Sequence, residues 1–138
     1  MILHDSDTVH ALNPSGHSPL ILAAYNNQIG VCKLLIMQGA NVNYTVSQGA
    51  AIHGAAFKGN LQVVSLLVAN GADYDQPDQN GTTPLIYATL FKHTEVAKYL
   101  FHLGCDPTIK DGTGSSAIDY AESLDNTDLL TLFKTKIK

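Results

Sequence analysis

The 138-residue chain contains no arginine and no tryptophan, only two cysteines, and charged residues at just 14% of its positions. Phosphate and guanine recognition lean on the forked donors of arginine, and here all eight basic residues are lysines in a chain of net charge −4. Nucleic acid is therefore a poor partner. The tail residues Lys134, Lys136 and Lys138 read as favourable charges near a helix C-terminus, not as a binding patch. No apolar run reaches membrane-spanning length, and Met1-Ile2-Leu3 leads straight into His4 and Asp5 with no secretory pattern. The scarcity of cysteine is compatible with a reducing, cytoplasmic location. With 45% hydrophobic residues the chain is expected to fold as one domain spanning residues 1–138.

What is present is repetition. Leu20, Ile52, Leu85 and Ile118 follow one another at 32, 33 and 33 residues, and Gly39, Gly71 and Gly104 keep the same spacing behind the runs LLIMQ, LLVAN and YLFHL. A period near 33 marks a stacked array whose single units cannot bury their own apolar faces. The units fall at residues 16–47, 48–80, 81–113 and 114–138, with residues 1–15 ahead of them. Cys32 and Cys105 lie about two repeats apart, too far to pair within a linear stack.

The third unit shows the local logic. Thr83 is suited to cap a helix and Pro84 to occupy its first turn, where a missing N–H costs nothing. That helix is expected to run to about Phe91, turn at Lys92, and give way to a second from about His93 to His102. Gly104 then supplies the left-handed position that ends it. Segments 41–48, 73–80 and 106–113 are rich in Asp, Asn, Gly, Pro and Thr, as turns require, and are expected to form projecting fingers.

Gly81-Thr82-Thr83-Pro84-Leu85, Ile52-His53-Gly54-Ala55-Ala56 and Gly71-Ala72-Asp73 resemble the ankyrin repeat, with its G-x-T-P-L-H-x-A-A helix and G-A-D-x-N finger. The resemblance runs over about residues 6–136. It implies an all-α ankyrin-repeat α-solenoid with projecting β-hairpin fingers and a concave groove lined by first helices and fingertips. The departures are informative. Ala50-Ala51 stands where Thr-Pro is usual, and the finger before it is one residue short, so that helix is expected to start with a weaker cap. The signature histidine survives only at His53; Ile21, Ile86 and Asp119 replace it. The last unit is degenerate and polar on one side, as a terminal cap requires. Ser6-Asp7-Thr8-Val9 align with a finger that no helix pair precedes. They read either as a minimal amino-terminal cap or as the edge of a longer array.

Small residues at Ala23, Ala24, Ala55, Ala56 and Ala88 are expected to let neighbouring first helices approach. Val31, Leu34 and Leu35, with Val63, Leu66 and Leu67, are expected to form the inter-repeat core. The resemblance implies that the residues after the Ala-Ala pair face the groove. Here these are Tyr25 and Asn26, Phe57 and Lys58, Leu90 and Phe91, with His17, Gln79, Asn80, Thr82 and Ser115 at or beside the fingertips. Tyr25, Phe57 and Leu90 would make an apolar strip, and such anchors are favoured in protein interfaces. The alternative is that these side chains only pack against the adjacent repeat.

No residue set points to chemistry. His93 and His102 are nine apart, which puts them on opposite faces of a helix, and no zinc-ligand spacing is present. The finger from Asp73 to Gly81 lacks the order of a calcium loop. Asp111-Gly112-Thr113-Gly114-Ser115 has neither the lysine of a phosphate loop nor a second Asp-Thr-Gly, and reads as a turn. No cofactor, metal or catalytic residue is expected. The expectation is a monomeric, non-catalytic module that binds a protein partner along the groove, as an adaptor or inhibitor. The alternative is the targeting segment of a larger enzyme or effector.

Overall fold

The computed structural model describes residues 9–135. The reading of Ser6, Asp7 and Thr8 as a finger, and of Lys136 and Lys138 as helix-end charges, lies outside the described residues. Within them are eight helices in four pairs: α1 (Pro19–Tyr25) and α2 (Ile29–Met37), α3 (Ala51–Lys58) and α4 (Leu61–Ala69), α5 (Pro84–Leu90) and α6 (Thr94–His102), α7 (Ala117–Ser123) and α8 (Thr127–Lys134). None of these helices is long and apolar enough to cross a membrane. Lys134 sits in the last turn of α8, where the helix dipole favours a cation.

The first helices start in three ways. The Ser18 and Thr83 hydroxyls accept hydrogen bonds from the backbone N–H of Ile21 and Ile86 at 3.1 and 3.2 Å, each followed by proline in the first turn. In α3 the cap residue is Ala50, which has no side-chain acceptor; instead its own N–H donates to His53 Nδ1 at 3.0 Å. At α7 both directions operate, since Ser116 Oγ accepts from the Asp119 N–H and the Asp119 carboxylate accepts from the Ser116 N–H. Asp119 thus does in the last unit what His53 does in the second. The weak cap expected at Ala50 is offset by the histidine three residues on.

Between the two helices of every pair one residue adopts a left-handed backbone: Asn27 (φ 55°), Gly59 (76°), Lys92 (65°) and Asp125 (55°). Only Gly59 adopts this conformation without a Cβ penalty. Replacing exposed Lys92 by glycine is therefore expected to stabilise the protein by about 0.5–1 kcal/mol, a small rise in melting temperature by calorimetry. An unchanged or lower midpoint would count against strain at that turn.

First helices pack in one row (α1, α3, α5, α7) and second helices in another, with the first row in closer contact. Ala23, Ala24, Ala55, Ala56 and Ala88 are all buried there, as the small residues require. First helices thus form one side of the stack, its inner side, and second helices the other. Leu35 and Leu67 are buried core residues, and Leu34 and Leu66 are partly buried against them. Val31 corrects the expectation. It is 41% exposed, whereas Val63, Val96 and Leu129 at the same place in later repeats are 0%, 2% and 0% exposed. Val63, Val96 and Leu129 belong to second helices that each contact the second helix before them, and among the described residues no helix pair lies before α1 and α2.

The fingers are held by side-chain turns more than by strand pairing; among the described residues there is one isolated antiparallel bridge, Val46 with Gly49. Asp78 accepts from the backbone N–H of Asn80 and Thr82, and Asp111 from those of Thr113 and Ser115. Backbone bonds link the fingers in sequence, with Gln79 N–H donating to the Ser47 carbonyl at 3.1 Å and Gly112 N–H to the Asn80 carbonyl at 2.8 Å.

Candidate functional site

The residues that follow the alanine pairs meet on the inner side of the stack. The Tyr25 and Phe57 rings lie nearly parallel with centroids 6.1 Å apart, and Phe57 meets Phe91 edge-on at 4.5 Å. Phe57 also receives Tyr87 at 5.9 Å with the rings perpendicular. Tyr25 and Phe91 remain 41% and 43% exposed, while Phe57 and Leu90 are intermediate. The ring row is thus Tyr25, Phe57, Phe91, with Leu90 beside it on α5. Sequence reasoning missed Tyr87. The available signal was spacing, since Tyr87 lies three and four residues before Leu90 and Phe91 and so shares their helix face.

Beside this row opens a groove of about 420 Å³, bordered by Tyr25, Val46, Gly49, His53, Gly54, Phe57 and Tyr87, with His17 at its edge. The polar atoms of its deeper wall are already paired. His53 Nδ1 accepts from Ala50, its Nε2 donates to the Gln76 carbonyl at 2.6 Å, and the Tyr87 hydroxyl donates to Asp78. Over Tyr25 stands the Lys58 ammonium, 5.0 Å from the ring centroid.

The other expected site residues divide. Asn26 is exposed but folds its amide back onto the Leu22 carbonyl. Gln79 and Asn80 are exposed with their backbones tied to the neighbouring fingers, and Thr82 and Ser115 are half-buried in the turns that Asp78 and Asp111 close. Two finger carboxylates are thereby occupied internally. Desolvation works against the Asp111 charge, yet hydrogen bonds from Thr113, Tyr120 and the Ser115 backbone hold its pKa at about 2. Asp75 shifts the other way, pushed up by burial and by the neighbouring charges of Asp106 and Asp73.

Burial lowers the pKa of His53 below its ordinary 6.5, outweighing the Gln76 hydrogen bond and the Asp78 and Asp73 charges that raise it. Below pH 6.5 the unfolded chain therefore takes a proton that the folded chain still refuses, so this residue's contribution to stability is complete above 6.5 and fades as pH falls through the lowered folded value. The urea midpoint of wild type is expected to drop between pH 7.5 and 5.5 more than that of His53→Gln. Equal drops would remove His53 from the account.

Burial raises the thiols of Cys32 and Cys105 to about 11 and 12, and both are free, so neither is a poised nucleophile. Among the described residues no group of three or more His, Cys, Asp or Glu side chains is placed to hold a metal ion. His93 Nε2 donates to the Phe57 carbonyl at 2.8 Å, joining the second and third repeats.

Paired helices stacked in a row, with turn-closed fingers and one open apolar groove, define a repeat scaffold that works by presenting a surface. The family models for "Ankyrin repeat" and "Ankyrin repeats (3 copies)" match residues 15–46 and 47–111 respectively, and the chain belongs to the ankyrin repeat family. It is 41% identical over 85 residues to mouse protein phosphatase 1 regulatory subunit 27, covering 62% of this chain and 54% of that protein. It is 43% identical over 75 residues to the mouse B-cell lymphoma 3 protein homolog, covering 54% of this chain and 17% of that one. Over 119 residues it is 31% identical to mouse protein fem-1 homolog A-like, covering 82% of this chain and 18% of the relative. The chain thus spans about half the length of the first relative and under a fifth of the other two. Ankyrin repeats make this a protein–protein interaction module.

Proposed function

We propose that the chain is a non-catalytic adaptor or inhibitor that grips one protein partner along the inner groove, with Tyr25, Phe57 and Phe91 as anchors. The observation that carries this reading is the ring row itself. Tyr25 and Phe91 are exposed, whereas the other eight Phe and Tyr side chains are buried or intermediate. Rigid aromatic groups held by a preorganised stack lose little conformational entropy on docking. Relatives named as regulatory subunits of protein phosphatase 1 favour a regulatory form of the role, in which the partner is an enzyme. The net charge of −4 favours a partner with a basic or amide-rich rim beyond the groove. Two free thiols fit a cytoplasmic site of action.

Affinity capture from native lysate tests this with wild type beside a Tyr25→Ala/Phe57→Ala/Phe91→Ala variant. The expected result is a partner held by wild type and lost by the variant at an unchanged melting temperature. A partner retained by a variant that melts lower would assign the rings to packing alone.

A further inference from the structure

The shape of the groove beside Phe57 has a local cause in the sequence. The position that carries Leu22 in α1 and Tyr87 in α5 is Gly54 in α3, so a side chain is missing at the floor. The finger leading into α3 is also one residue shorter than the others, and brings Val46 and Gly49 to the rim. Gly54 has an ordinary helical backbone, and a Cβ added there would meet only Tyr25, at normal contact distance. Neither steric crowding nor left-handed geometry requires glycine at this point. Glycine inside a helix costs roughly 0.5–1 kcal/mol relative to alanine. Its effect is an open, ring-walled recess of about 420 Å³.

We infer that this recess is the specificity pocket of the groove, taking one bulky, wholly apolar side chain (Phe, Leu or Met) from an extended partner peptide that carries an adjacent Asp or Glu. The inference rests on the groove-binding reading above. The apolar requirement follows from the wall, because His53 and Tyr87 have their polar atoms paired within the protein. A hydroxyl or amide buried against these two residues would find no partner there and would be desolvated without return, whereas the lining residues His17, Gln48 and Tyr25 leave polar atoms for the peptide backbone. The acidic neighbour follows from Lys58. Its ammonium sits over the Tyr25 ring at the recess, and the ion pair found among the described residues, Lys98 with Glu95, lies elsewhere. An exposed cation at the mouth of an apolar pocket rewards a carboxylate beside the anchor, despite the overall negative charge of the chain.

The test is selection from a synthetic library of 12-residue peptides, run in parallel on wild type, Gly54→Leu, Lys58→Glu and Tyr25→Ala/Phe57→Ala, each first verified as folded by its melting curve. Leucine already occupies the equivalent position at Leu22, and Lys58 is exposed, so the two informative variants ask nothing new of the core. Wild type is expected to enrich peptides with Phe, Leu or Met at one fixed position and Asp or Glu within two residues of it. Gly54→Leu should bind those peptides at least about tenfold more weakly, a loss of roughly 1.4 kcal/mol. Changing the peptide anchor to alanine should weaken wild type by a similar factor and Gly54→Leu hardly at all. Lys58→Glu should keep the apolar preference and lose the acidic one. If Gly54→Leu retains peptides that Tyr25→Ala/Phe57→Ala loses, the pocket inference falls and the groove reading stands. If Lys58→Glu keeps the acidic preference, the Lys58 assignment falls. If wild type enriches no peptide, both the pocket and the groove are overturned.

Discussion

Leu67→Ala should lower stability by about 2–5 kcal/mol, enough to shift the urea midpoint by one molar or more. Leu67 is fully buried in α4, in the middle of the stack, where second helices of three repeats meet. Truncation removes the transfer energy of the side chain and leaves a cavity that neighbours on both sides cannot close without moving whole repeats. In a stack each unit is held by its neighbours, so damage to a central interface costs more than damage at an end. The contrast between Val63→Ala and Val31→Ala checks this within one residue type. The first should cost roughly 2 kcal/mol and the second a fraction of that, because Val31 is already largely in water. A denaturation curve for Leu67→Ala superimposed on wild type would sink the interface account.

Gly49→Ala should be nearly as damaging although it adds a single methyl group. Gly49 is buried with φ of 104°, and a Cβ built on it falls within the His53 ring. The left-handed backbone alone costs about 1–2 kcal/mol for any other residue. Displacing His53 would also strand the Ala50 N–H and the Gln76 carbonyl, at about 1–3 kcal/mol for a buried polar group left unpaired. The total expected is about 2–5 kcal/mol. Gly71→Ala provides the comparison, since Gly71 has a similar φ of 92° but open space around its Cβ direction. It should show the backbone term alone. In a double-mutant cycle Gly49→Ala and His53→Ala should be less than additive, because removing the ring removes the clash. Strict additivity would mean that the histidine is not what Gly49 makes room for.

Much of the fold was legible in the chain because its grammar is local. Thr83-Pro84 starts a helix for reasons confined to four residues, and Lys92 and Gly104 sit where that helix pair turns and ends. The candidate site was legible only in outline. Register placed Tyr25, Phe57 and Leu90 in one strip, but the ring that meets Phe57 is that of Phe91, because ring-to-ring geometry depends on how successive repeats sit. Tyr87 and the recess over Gly54 therefore escaped notice, as did the internal use of Asp78 and Asp111.

The 33-residue period by itself determined a stacked array, and the local motifs around it determined the helix pairs, the alternation of apolar faces and the likeness to the ankyrin repeat, since these follow from spacing and from residues near one another in sequence. Only the tertiary structure decided which apolar residues are covered and which are offered. Val31 and Val63 are the same residue in the same register, yet one faces water because a neighbour is what buries it. Exposure is a property of the stack, and a repeat read alone does not contain it.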